Sequence, residues 1–230
     1  MLFHQLFEAE SSTYTYLLAD RDSGAAVFID PVIDTIERDL KLLDEYGLTL
    51  KYIVDTHVHA DHITAADELR KRTGAQTCVS RHASLPCVDI ELKEGQSLHF
   101  GPYEIGVLET PGHTQCSLSF TLGDRVFTGD TLLIRGCGRT DFQNGSAELL
   151  YKSVREKLFV LPPATRVYPG HDYKGQTSSS IEMEQRFNPR LKDGITLEEF
   201  VRIMSLLGLP VPKRIHEALP ANLACGKTPQ

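Results

Sequence analysis

Short apolar runs alternate with turns and with helical spacings along this chain, and the two periods define its elements. Thr13-Tyr14-Thr15-Tyr16-Leu17-Leu18 reads as a strand, and Ala25 to Ile29 as another, stopped by Asp30-Pro31. Ile36, Leu40 and Leu43 recur at helical spacing up to Gly47, which ends the helix they define. Tyr52-Ile53-Val54 closes a further strand. Ala65 to Arg72 is helical and stops at Gly74, and Gln76 to Ser80 is extended. Tyr103 to Glu109, Ser117 to Leu122 and Arg125 to Thr128 follow as strands, with Gly112, Gly123 and Gly129 in their turns. An amphipathic helix from Ser146 to Phe159 ends at Pro162-Pro163, and Arg166-Val167-Tyr168 is a short strand. From Ser178 the pattern is polar and helical, with Thr196-Leu197-Glu198-Glu199 in the form of a capping box before Phe200, Ile203, Met204 and Leu207.

Strands at both ends of the main segment with helices between them predict an α+β protein of layered αββα type. Residues 1–177 form its core, and residues 178–230 a helical extension packed on that core, within one domain overall. A length of 230 residues and 41% hydrophobic content suit a globular chain with a substantial interior. No run approaches the roughly 18 apolar residues of a membrane helix, and no leader pattern opens the chain. The expected location is the cytoplasm, or the mitochondrial matrix for a mature form whose leader has been removed. A net charge of −7 without a basic block argues against nucleic acid as a partner. Five cysteines at irregular spacing, with no C-x-x-C pair, predict reduced thiols.

The chemistry is concentrated at strand ends. Thr56-His57-Val58-His59-Ala60-Asp61-His62 places three imidazoles and a carboxylate within six residues. Neutral His nitrogen and carboxylate oxygen are the donors that borderline and oxygen-seeking metals take. In an extended segment His57 and His59 share a face, and Asp61 and His62 fall in the turn beyond. Burying them together without a metal would require many hydrogen bonds, because unpaired buried polar groups are costly. Three more donors follow: His113 in Thr110-Pro111-Gly112-His113, Asp130 in Thr128-Gly129-Asp130-Thr131, and His171 in Tyr168-Pro169-Gly170-His171-Asp172. His4, His82, His99 and His216 stand outside this order and read as ordinary surface or core residues.

The order His-x-His-x-Asp-His, then His, Asp and His resembles the metallo-β-lactamase superfamily over most of the chain. That resemblance implies two mixed sheets flanked by helices, with metal ligands on loops at one edge. It implies one site of His57, His59 and His113 and a second of Asp61, His62 and His171, with Asp130 placed to bridge. Glyoxalase II enzymes, similar here, use both sites to hydrolyse a glutathione thioester. A second set of residues favours another branch. Ile134-Arg135-Gly136-Cys137-Gly138-Arg139-Thr140-Asp141-Phe142-Gln143 looks like the corresponding loop of persulfide dioxygenases of the ethylmalonic encephalopathy type. Asn188-Pro189-Arg190-Leu191, Leu209-Pro210 and Pro220-Ala221-Asn222 match the same pattern, whereas Gly170 stands where that family often has Ala.

A persulfide dioxygenase implies one Fe(II) per chain on a face of His57, His113 and Asp130. It implies glutathione persulfide and O2 as substrates, sulfite and glutathione as products, and suggests a homodimer. His59, Asp61, His62 and His171 are then either a vacant second metal site or groups that orient ligands and water. Asp172 either supports them or caps a neighbouring amide. Arg139, with Tyr173 and Lys174, is the candidate for the glutathione carboxylates. The alternative is the dinuclear thioester hydrolase of the glyoxalase II kind.

Overall fold

A computed structural model describes residues 1–227 and divides the chain into two compact units. One comprises residues 1–92, 97–105 and those from 211 onward, the other residues 93–96 and 106–210. The last three residues of the expected helical extension, 228–230, lie outside the described residues.

The first unit is built on a mixed sheet with its strands in chain order: β1 (Leu2–Glu8), β2 (Thr13–Ala19), β3 (Ala25–Ile29), β4 (Thr49–Val54), β5 (Gln76–Ser80) and β6 (Ile90–Leu92). Short turns make β1, β2 and β3 antiparallel. Longer crossovers make β3 to β6 parallel, two of them carried by α1 (Ile36–Glu45) and α2 (Ala66–Thr73). Ile36 and Leu43 of α1 and Leu69 of α2 pack with Leu17, Phe28 and Ile53 of the sheet. Gly74 (φ 75°) closes α2 with a bond from its N–H to the Arg70 carbonyl. β7 (Ser97–Phe100) and the first residues of β8 (Tyr103–Glu109) also belong to this unit.

In the second unit, Gly106–Glu109 of β8 pairs antiparallel with β9 (Leu118–Leu122), which forms a hairpin with β10 (Arg125–Gly129). β10 runs parallel to β11 (Arg166–Pro169), and the two-residue β12 (Ser179–Ser180) closes the edge. The β10–β11 crossover holds α3 (Ala147–Ser153), capped by Ser146 and continued by a π turn through Leu158. α4 (Ile181–Phe187) and α5 (Leu197–Ser205) follow, and Thr196 and Glu199 complete the expected capping box. Leu150, Val154, Val167, Ile181, Leu191 and Phe200 form the core. Two mixed sheets flanked by helices are thus the α+β organisation expected.

Three features depart from the sequence reading. β1 and the short β6, β7 and β12 add strands that no strong alternation announces, the last inside the segment read as helical. α6 (Ile215–Leu223) forms around Pro220 inside the segment expected to be helical, where no individual helix was read. Cys87 and Cys225 are joined by a disulfide across 138 positions, so the expectation of five reduced thiols is corrected: Cys78, Cys116 and Cys137 remain as buried thiols outside it. Irregular spacing carries no information about a pair brought together by tertiary structure.

Candidate metal centre

β4 ends at Val54, and the chain then turns through residues 55–64 without a regular element. His57 and His59 therefore meet through a loop and not along an extended face. Their ring centroids lie 4.1 Å apart, those of His59 and His62 4.2 Å, and all three rings are buried. Asp30, which follows β3 with φ 50°, organises this loop. Its Oδ1 accepts the Thr56 N–H at 2.7 Å, and its Oδ2 accepts the Thr56 hydroxyl at 2.9 Å. Having given its proton to Asp30, the Thr56 oxygen accepts from His57 Nδ1 at 2.9 Å. This relay puts the His57 proton on Nδ1 and the lone pair on Nε2, the tautomer a metal requires.

His59 is arranged the other way round. Its Nε2 donates to Asp30 Oδ1 at 3.1 Å, which leaves Nδ1 as the acceptor of the neutral ring, and that atom is buried with no hydrogen-bond partner. Burial alone would lower the His59 pKa, but the charge and hydrogen bond of Asp30, with Asp61 and Asp55, raise it to about 9. Burial likewise pushes the Asp55 carboxyl up to about 7, opposed by His59 and the Thr64 hydroxyl and reinforced by Asp30. His62 Nδ1 meets Asp61 Oδ2 at 2.9 Å and the Thr13 hydroxyl at 3.2 Å. Ligand atoms of His59, Asp61 and His62 all lie within 4.8 Å of one another, as do those of Asp30, Asp55 and His59.

The second unit presents its own donors. Beyond β8, Gly112 lets the turn before His113 pass Leu150, where a Cβ would lie 2.2 Å from the backbone. His113 Nδ1 donates to the Arg139 carbonyl at 2.7 Å, which again assigns the lone pair to Nε2. Asp130 follows β10; its Oδ1 accepts from His171 Nδ1 at 2.6 Å, and its Oδ2 lies 3.7 Å from His113 Nε2. Two electron-rich atoms at that separation, too far apart for a hydrogen bond, are arranged as a shared cation would hold them. Gly138 is forced by the same geometry: its N–H reaches the Asp130 carbonyl at 2.7 Å, and a Cβ would stand 2.7 Å from His113 Nδ1.

The remaining candidates are placed less centrally. Arg139 binds both carboxylate oxygens of Asp141 at 2.7 and 2.8 Å and the Pro210 carbonyl at 2.5 Å, with the Phe142 ring 4.3 Å from its guanidinium carbon. Tyr173 and Lys174 are exposed, and the Tyr173 ring lies parallel to that of His171 at 6.1 Å. Asp172 Oδ2 accepts the N–H groups of Lys174 and Gln176 at 2.8 and 2.7 Å, the amide-capping alternative. Asp30, Thr56 and Gly138 hold or approach the candidate donors, and sequence reasoning gave none of them that part. The Asp30-Pro31 stop gave a signal for the turn but none for the partner it would hold.

The donor set in both units consists of carboxylates and imidazoles, of which His57 and His113 have Nε2 left free by a hydrogen bond at Nδ1, and His59 Nδ1 is buried without a hydrogen-bond partner. These residues fit a bound metal. The sequence matches the family model described as the metallo-beta-lactamase superfamily over residues 10–87 and 81–171. It is 50% identical over 229 residues to the mitochondrial persulfide dioxygenase ETHE1 of Bos taurus, covering 98% of this chain and 89% of that one. The Homo sapiens protein of the same name is 49% identical over the same shares. The crystal structure of ETHE1 from Myxococcus xanthus superposes with a TM-score of 0.96 at 54% identity, covering 99% of this chain and 100% of that one. The chain belongs to the metallo-β-lactamase superfamily and, within it, to the family of the ETHE1 persulfide dioxygenases.

Proposed function

We propose that this chain is an iron-dependent persulfide dioxygenase that converts glutathione persulfide, O2 and water into glutathione, sulfite and two protons. The observation that carries the reading is half-identity over nearly the whole chain to proteins named as persulfide dioxygenases. We assign one Fe(II) to His57, His113 and Asp130. The tautomers support this: Thr56 and the Arg139 carbonyl each hold an Nδ1 proton, which directs a lone pair on Nε2 to the ligand position. Ferrous iron, when bound, supplies the one-electron chemistry through which O2 reacts with a sulfur anion, chemistry that zinc lacks.

The chain's own groups do the positioning. His171 fixes one oxygen of Asp130 and Asp30 fixes His59, so His59, Asp61, His62 and His171 act in this reading as groups that orient ligands and water. Arg139 is proposed first to receive the glutathione carboxylates, exchanging the carboxylate of Asp141, whose side chain is 62% exposed, for one from the substrate, and the exposed Tyr173 and Lys174 would join it. We read the working form as a homodimer, located in the cytoplasm or, as the mammalian relatives' names state for those proteins, in mitochondria.

The test is a paired assay of one iron-loaded sample. Given glutathione persulfide in air it should release sulfite, and given a glutathione thioester without O2 it should be inert. Thioester hydrolysis without sulfite formation would establish the hydrolase instead.

A further inference from the structure

We propose that Asn222 of α6 is a positioning residue for the metal-ligand turn, acting through the backbone at His59, His62 and Thr64. The inference rests on the metal reading above for what that turn holds. Asn222 is buried, 3% exposed, and lies 158 positions beyond Thr64. Its Nδ2 donates to the His59 carbonyl at 2.9 Å and to the His62 carbonyl at 2.8 Å, and its Oδ1 accepts the Thr64 N–H at 3.0 Å. The partners settle the amide's orientation, since two carbonyls require the NH2 group and an N–H requires the oxygen. One side chain thereby fixes three backbone groups in the stretch that carries His59, Asp61 and His62, beside the Val32–Thr64 bridge that holds the Ile63 carbonyl and the Ala65 N–H.

The surroundings bring α6 to this turn by independent contacts. Ala218 and Ala221 pack on Ile63. Gly226 (φ 84°) passes so close to the turn that a Cβ would stand 2.5 Å from the Thr64 carbonyl. Cys225 is bonded to Cys87. These contacts hold the segment in place, and Asn222 is the residue on it that engages the polar backbone of the turn. A cavity of ≈ 20 Å³, room for about one water, is lined by Asn222, Thr64, His57 and His59. Truncation to alanine would enlarge that space and admit water in place of the amide, so a variant that keeps the volume is the sharper probe.

Asn222→Leu keeps the size, adds no charge and removes all three hydrogen bonds. Asn222 touches no ligand and acts through the turn that carries His57. The expected effect is therefore the lower end of the roughly 10- to 100-fold loss seen when direct supporting partners of metal ligands are removed. The experiment titrates full-length protein anaerobically with Fe(II) against a chromophoric chelator, and records the visible ligand-field bands of the Co(II) form. Ala218→Gly serves as the control, because it loosens the same helix and leaves Asn222 in place.

The expected result is a loss of about 10-fold in Fe(II) affinity and displaced Co(II) bands for Asn222→Leu. Ala218→Gly should lower Tm and leave both metal readouts at wild-type values. Unchanged metal readouts in Asn222→Leu would overturn the proposal, as would equal losses in the two variants. If Asn222→Leu fails to fold, Asn222→Gln is read by the same criteria, since it keeps the amide but displaces it by one methylene. Failure of the wild-type protein to take up Fe(II) would instead defeat the metal reading, and this inference with it.

Discussion

The Cys87–Cys225 bond makes a definite stability prediction. It closes a loop across 138 positions and anchors the segment that carries Asn222. In the chain-entropy treatment a loop of this length restricts the unfolded chain by about 5 kcal/mol, and losing a native disulfide commonly costs about 2–5 kcal/mol. Taking about 3 kcal/mol, and about 2–4 °C per kcal/mol for a chain of this size, the expected fall in Tm is about 6–12 °C. Cys87 is only partly buried whereas Cys225 is 5% exposed, so Cys87→Ser is the cleaner variant. Calorimetry with and without a phosphine reductant should show the fall in the wild-type protein and no response in Cys87→Ser. Thiol titration of the denatured wild-type protein should give three groups before reduction and five after. Five thiols before reduction, or a Tm that the reductant leaves in place, would refute the reasoning.

Two further outcomes follow from buried groups. Asp39 is fully buried, and burial pushes its carboxyl up to about 6 from an unfolded value of 3.8 despite the charge and hydrogen bond of Arg38. Between those values the folded state holds more protons than the unfolded one. This residue's contribution therefore makes stability fall as pH rises from about 4 to 6, with the full penalty above that range. Asp39→Leu should remove that dependence and raise stability at pH 7 by about 1–3 kcal/mol; a denaturant series at several pH values checks it, and a retained slope contradicts it. Gly138→Ala would set a Cβ 2.5 Å from the Asp130 carbonyl and 2.7 Å from His113 Nδ1. An Fe(II) affinity lowered by about 10-fold or more is expected, whereas Gly136→Ala, whose Cβ meets nothing nearer than 3.8 Å, should bind normally.

What the sequence made legible follows from the range of each interaction. α1 was readable because Ile36, Leu40 and Leu43 repeat within a few residues and face one sheet. The donors His57, His113, Asp130 and His171 were readable because each sits within four residues of a strand's end, in the turn that follows it. Residues that act on those donors from afar left no such trace. Asp30 reaches His59 across 29 positions and Asn222 reaches it across 163, so nothing near the histidines points to either. α6, inside the segment expected to be helical, was not read individually because Pro220 interrupts its pattern, and the disulfide was hidden by a separation that only tertiary structure closes. The bonds of Arg139 to Asp141 and to the Leu209 and Pro210 carbonyls show how a cation that a motif marks for ligand contact also organises its own loop.

The central claim is tested most directly by the stoichiometry of one reaction. Iron-loaded protein should be given glutathione persulfide in an oxygen electrode, with sulfite and glutathione assayed in the same vessel. One O2 consumed for each sulfite and each glutathione formed, abolished by removing the metal and restored by Fe(II), is the predicted result. Persulfide turned over without oxygen uptake, or iron-replete protein that consumes none, would contradict the account.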